Sequence, residues 1–196
     1  MALDLDRRAI SELVQSMAES DLQGANVEAI LARNDELPLP SETLNEDEAR
    51  KEETSKDLHM LISEMKVPQK IKLALFGNQM ARAILIRDNS CRQVPLFVLQ
   101  NPRITEGEIE EIARNTNVDE QVLRVIANNP KWMKGYAIKT ALVSNPRVPL
   151  AISLHWIKHL QDKDLKKLAQ SKNIPQALAT HCRKMIDTKK VAQSKG

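Results

Sequence analysis

The sequence predicts an all-α fold: a right-handed α-solenoid of about five helix pairs, with an N-terminal helical hairpin on an acidic linker. Three observations predict it. Only five of the 196 residues are aromatic and only five are Gly. That is too few for sandwiches, barrels or Gly-loop nucleotide folds, and it favours an Ala- and Leu-rich helical chain. Apolar residues recur at helical spacing with no strand-like alternation to compete. One Asn-marked turn returns repeatedly in the second half of the chain.

The first module covers residues 1–33. Ile10, Leu13, Val14 and Met17 fall at i, i+3, i+4 and i+7, one stripe of a helix. After a break at Gly24, Val27, Ile30 and Leu31 repeat the pattern more briefly. Helices this short need a surface to dock on. Packing against the rest of the chain is one expectation; a partner-binding or self-associating hairpin is the other.

Residues 34–55 read as a flexible linker. Asp35 to Asp57 holds nine acidic residues against Arg50, Lys51 and Lys56, together with Pro38 and Pro40, and its leucines keep no period. A coil of about 22 residues spans about 25 Å, enough to fold back over a small domain.

From residue 56 to 188 the helical pattern is continuous. Helices are expected near 56–65, 68–77, 79–88, 92–100, 105–114, 119–128, 133–143, 149–160, 162–171 and 175–186. Between them lie Asn101-Pro102-Arg103-Ile104, Asn129-Pro130-Lys131-Trp132 and Asn145-Pro146-Arg147-Val148, with looser copies at Asn89, Asn115 and Asn173. Asn tolerates the left-handed conformation that often ends a helix, and the Pro after it cannot continue that helix. The apolar residue that follows staples the turn to the core. Thr105 with Glu108 is a capping box, Asp119 is an N-cap, and Pro68, Pro149 and Pro175 suit helix starts. Residues 189–196 read as a disordered basic tail.

These Leu-x-x-Asn-Pro turns and the two-helix period resemble the leucine-rich variant and HEAT-like families of α-solenoid repeats, over about residues 67–186. The resemblance implies an extended binding surface, usually for proteins and sometimes for nucleic acid, and no reaction. A cysteine-bound iron–sulfur cluster, which the leucine-rich variant type can carry, is not expected from two distant cysteines.

Catalytic motifs for nucleotide, acyl-transfer or redox chemistry do not occur in the sequence. His155 and His159 stand at i, i+4 and start a metal site only if His181 and Cys182 complete it; two exposed helix histidines are the plainer reading. Cys91 lies near Arg87 and Arg92, which lower a thiol pKa when close, although an inert thiol is the default. Glu106, Glu108, Glu110 and Glu111 complement a helix dipole. Trp132 and Tyr136 alternate with Lys131 and Lys134 in the aromatic–basic mixture that single-strand binders use, although their helical spacing suits the core better. No enzymatic activity, cofactor or metal is therefore expected.

Charge supplies the functional expectation. Residues 1–66 carry 7 Lys+Arg and 16 Asp+Glu, and residues 67–196 carry 22 and 10, so a net charge of +3 conceals an acidic arm and a basic body. Arg103, Lys131 and Arg147 directly follow Asn-Pro, and Lys172 falls near the same place. If equivalent turns align on one edge, these cations form a ridge, extended by Lys134 and by Arg82, Arg87 and Arg92. The expected partner is a protein with an acidic surface, with the chain's own acidic arm modulating access. The alternative is nucleic acid bound through its phosphates. A glycosylase of such architecture would draw its carboxylate from Asp88, Asp119 or Asp162, none of which sits in a motif. The apolar runs are too short for a membrane span, the start lacks a secretion signal, and the unpaired cysteines fit a cytoplasmic protein.

Overall fold

In the computed structural model the described residues are 39–40, 43–44, 52–88 and 90–193. The chain divides into two compact units, Met1–Leu39 and Pro40–Gly196. The expected hairpin over 1–33 lies outside the described residues.

Ten α-helices and two 3-10 turns make up the described part of the second unit, with no strand among the described residues. The helices are α1 Glu52–Glu64, α2 Val67–Phe76, α3 Gln79–Leu85, α4 Val94–Val98, α5 Glu106–Arg114, α6 Glu120–Asn128, α7 Tyr136–Ser144, α8 Leu150–Trp156, α9 Asp162–Gln170 and α10 Gln176–Gln193. The 3-10 turns are Trp132–Lys134 and Ile157–His159.

Side-chain bonds to the backbone start α3, α5 and α6. Thr105 accepts from the Glu108 N–H while Glu108 accepts from the Thr105 N–H, closing the capping box of α5. Asp119 accepts from the Gln121 N–H at α6, and Asn78 accepts from the Ala81 N–H at α3. Each helix then buries one stripe, such as Ile109, Ile112 and Ala113 of α5 or Val122, Leu123, Ile126 and Ala127 of α6. All of α4 is buried. At the C-terminal side, Ile157, Leu165, Leu168 and Leu178 form one cluster with the buried Cys182, and Tyr136 packs on it.

Helices meet their second neighbours as well as their first. α2 packs on α4, α4 on α6, α5 on α7 and α8 on α10, while α9 and α10 form the most extensive pair. Two buried asparagines fasten this order. Asn101 Nδ2 donates to the carbonyls of Ala74 (2.9 Å) and Gly77 (3.2 Å) at the end of α2. Asn145 Nδ2 donates to those of Ala113 (2.8 Å) and Asn115 (3.0 Å) at the end of α5.

The turn asparagines correct one expectation. Asn115, Asn129 and Asn145 have φ of −74°, −86° and −86° with extended ψ, so none is left-handed. Asn is used for its side chain. Its Oδ1 accepts the N–H two residues on, from Arg103, Asn117, Lys131 and Arg147 in the four turns at Asn101, Asn115, Asn129 and Asn145. Of the apolar followers, Val118, Val148 and Ile174 are buried, while Ile104 and Trp132 are half-buried.

Two boundaries also differ from expectation. Within the stretch read as a linker over 34–55, Thr43 is fully buried and α1 starts at Glu52. Helix α10 runs to Gln193, into the stretch expected as a tail from 189, because nothing in Lys189 to Gln193 breaks a helix.

Candidate functional site

The site begins with a glycine. Gly77 ends α2, and a Cβ there would come within 2.4 Å of the Leu73 carbonyl oxygen, so no larger residue fits without backbone movement. The Gly77 carbonyl points into a buried polar cluster and accepts from Arg82 Nη1 at 2.9 Å as well as from Asn101. Arg82 donates from Nε to Glu108 Oε1 at 2.8 Å, and from Nη2 to Glu108 Oε2 at 3.1 Å and to the Arg103 carbonyl at 3.4 Å. Glu108 Oε2 also accepts from the Thr105 hydroxyl at 2.9 Å. Such a pair gains from the low dielectric only when its remaining polar atoms are bonded, a condition this cluster meets.

Arg82 is therefore not a surface cation. It is 3% exposed and forms the centre of the α2–α3–α5 junction, which corrects its place in the expected ridge. The helical pattern explains why: Arg82 lies beside Ala81 and Leu85 on the buried stripe of α3.

Next to this cluster lie Pro40, Thr43 and Leu44. The Thr43 N–H and hydroxyl both donate to the Pro40 carbonyl, at 3.0 and 2.6 Å, which closes a tight turn. The Asn78 N–H donates to the Thr43 carbonyl at 2.7 Å, and Arg103 Nη1 donates to the Leu44 carbonyl at 3.1 Å. Arg103 is exposed, and it holds the Leu44 carbonyl of its own chain.

The remaining expected cations, Arg87, Arg92, Lys131, Lys134, Arg147 and Lys172, are all exposed. Their turns do not form a single series. Asn145 ties the Arg147 turn to the end of α5, while Asn101 ties the Arg103 turn to the end of α2, and α4 packs on α6, which leads into Lys131. In both ties the joined helix ends lie two helices apart in the chain.

A second junction joins α1, α2 and α3. Lys70, 5% exposed, donates to Ser90 Oγ at 3.0 Å and pairs with Asp88 Oδ2 at 2.8 Å. Burial pushes the Asp88 carboxyl up, but the bonds from Lys70 and Ser90 outweigh it and hold it below its ordinary value. Beside this pair runs a groove of about 530 Å³ lined by His59, Ile62, Met80, Ile84 and Arg87.

The carboxylates considered for catalysis are all engaged in the fold. Asp88 pairs with Lys70, Asp119 caps α6, and Asp162 pairs with Lys189 at 2.6 Å. Glu110 pairs with Arg114, and Glu108 with Arg82. His155 and His159 are exposed with ring centroids 6.3 Å apart, and no group of three or more potential metal ligands gathers among the described residues. Cys182 is buried in the core cluster, where desolvation pushes its thiol pKa up, while Cys91 is half-buried. Trp132 and Tyr136 are half-buried, and Tyr136 donates to Asp164 Oδ2 at 2.5 Å.

Sequence reasoning passed over one cationic region. Residues 158–190 hold nine Lys+Arg against three Asp, and besides the expected Lys172, Lys158, Lys163, Lys166 and Lys184 are exposed. The signal was present in composition, but Lys158, Lys163, Lys166 and Lys184 lie within helical segments rather than at Asn-Pro turns. No helix among the described residues is long and apolar enough to cross a membrane. No protein-family model, no curated protein and no solved structure matches the chain.

Proposed function

We propose that this chain is a non-enzymatic, cytoplasmic interaction protein. Its helices form an α-solenoid of the HEAT-like or leucine-rich variant kind, and its cationic turns bind a protein with an acidic surface. The second-neighbour packing and the Asn-tied alternate turns support the architectural part.

One observation carries the functional part. Arg103, in the best copy of the repeated turn, bonds the Leu44 carbonyl, within a segment that continues Asn45-Glu46-Asp47-Glu48. In this reading the chain's own acidic stretch, whose Leu44 lies at Arg103, competes with an acidic partner for that cation. Exposed Lys131, Lys134 and Arg147 extend the same chemistry.

The test is retention of the full chain on immobilised polyglutamate at low salt, comparing wild type with Lys131→Glu/Arg147→Glu. Retention that the double variant loses supports the proposal; no retention of the wild type refutes it. The second reading, nucleic acid, is favoured by the exposed lysines of α9 and α10. It requires duplex DNA to bind in preference to polyglutamate, with log K falling by about 0.9 per phosphate contact for each tenfold rise in salt.

A further inference from the structure

We propose that His155 and His159, at the end of α8, form a two-imidazole site for a late divalent transition-metal ion, with Cu²⁺ bound more tightly than Zn²⁺. The site is independent of the acidic-partner reading and stands or falls apart from it.

The first support is spacing on a fixed backbone. Helix α8 runs without a break into the 3-10 turn Ile157–His159: the Ile157 N–H donates to the Ser153 carbonyl, and the Leu160 N–H donates to the Ile157 carbonyl at 3.2 Å. Ser153, Ile157 and Leu160 are buried and anchor this stretch, while His155 and His159 are exposed. Positions i and i+4 are neighbours on a helix surface. The two ring centroids lie 6.3 Å apart, with 56° between the planes. Two imidazoles on one ion, each at about 2.0–2.1 Å, bring their centroids to about 5 Å. Rotation of two exposed side chains closes that difference without backbone movement.

The second support is the donor set, which selects the ion. Imidazole suits Cu²⁺, Ni²⁺ and Zn²⁺, whereas Mg²⁺ and Ca²⁺ take oxygen ligands. Among the described residues no group of three or more potential ligands gathers, and Cys182 is held in the core, so the pair acts alone with water in the remaining positions. Two cations stand close by. Lys158 is exposed next to His159 in the chain, and Lys139 Nζ lies 5.9 Å from the ring centroid of Trp156. Their repulsion disfavours an ion held by charge alone. It leaves the ions that bond nitrogen strongly, with Cu²⁺ at the head of that order.

The site also carries its own reporter. The Trp156 ring stands edge-on to that of His155, with centroids 5.0 Å apart, and its centroid is 5.5 Å from that of His159. An ion held by both imidazoles is therefore close to the indole, where paramagnetic Cu²⁺ quenches its emission. The chain has one other tryptophan, Trp132.

The experiment titrates Cu²⁺ into the untagged full chain and follows tryptophan emission, with calorimetry of the same samples giving the stoichiometry independently of either tryptophan. Wild type is expected to show saturable quenching at one equivalent, weaker binding of Zn²⁺ and no response to Mg²⁺. His155→Asn and His159→Asn are each expected to weaken Cu²⁺ binding at least about tenfold, since losing a ligand costs no less than losing the outer-shell partner of one. His59→Asn, at an exposed position of α1, is expected to leave binding unchanged. Both site histidines are exposed, so their variants are expected to keep the wild-type helical circular dichroism. Quenching that persists in Trp132→Phe and is lost in either site variant supports the proposal. Absence of saturable binding, or Cu²⁺ binding that His155→Asn and His159→Asn both retain, means adventitious ions only and overturns it.

Discussion

Four asparagines share one turn motif, yet the structure assigns them unequal energies. Asn145 is 3% exposed and makes three bonds: Nδ2 to the Ala113 and Asn115 carbonyls, and Oδ1 from the Arg147 N–H. Asn129 makes the same turn bond from the Lys131 N–H and is half-buried, with no bond to another helix end among the described residues. Truncating Asn145 to Ala removes the partner of a buried helix-end carbonyl and opens a small void. An unmet buried polar group costs about 1–3 kcal/mol and an ordinary hydrogen bond about 0.5–1.5 kcal/mol. Asn145→Ala is therefore expected to destabilise by about 2–4 kcal/mol, and Asn129→Ala by about 1 kcal/mol. For a chain of this size that separates their Tm losses, since each kcal/mol shifts Tm by about 2–4 °C. Urea denaturation followed by far-ultraviolet circular dichroism measures both variants. Equal losses at the two positions would refute the assignment of Asn145 as a tie between helix ends. Asn101→Ala, with bonds to Ala74 and Gly77, belongs with Asn145.

Breaking the Arg82–Glu108 pair by Glu108→Ala leaves a buried guanidinium without its carboxylate and removes the α5 capping box, so a loss of about 3–5 kcal/mol is expected. Urea unfolding checks it, and a loss below about 1 kcal/mol contradicts the central role of the pair. The folded Asp88 carboxyl titrates below its unfolded value of about 3.9, so its contribution to stability is present above that pH and is lost as pH falls through the folded value. Asp88→Asn is expected to flatten the acid limb of the stability profile below about pH 4, measured by thermal melts across pH. With Ellman's reagent, Cys91 is expected to react in the native protein and Cys182 only on unfolding, because Cys182 is fully buried with a raised thiol pKa; a second fast-reacting thiol would contradict this.

Helix positions were most legible where a helix is amphipathic and carries its own start signal, as α5 and α6 do. Thr105 with Glu108 and Asp119 act locally, so their roles need no knowledge of the rest of the chain. The Asn-Pro turns were legible as breaks but not in mechanism. Left-handed backbone and side-chain turn bonding favour the same residue, and only the dihedral angles separate them. The ties from Asn101 and Asn145 span 27 and 32 residues of sequence, beyond any local pattern. The Pro- and Glu-rich composition of 34–55 indicated a linker, and composition cannot register a single threonine that fills a buried corner.

Charge counting located the basic half but not its usable cations, because a count does not say which charges are already paired. Arg82 and Lys70 contribute to the basic balance and are held inside the fold by Glu108 and Asp88. On the surface Asp162 pairs with Lys189, and Glu110 and Glu120 pair with Arg114 and Arg124 along their own helices. What remains for a partner is a smaller set at the turns, with a separate set on α9 and α10. Arg103 stands between these categories. It is exposed like a ligand-binding residue and bonded like a structural one, and its bond goes to a main-chain carbonyl that another peptide could offer. Arg82, bonded on every side to buried groups, offers a partner nothing to compete for.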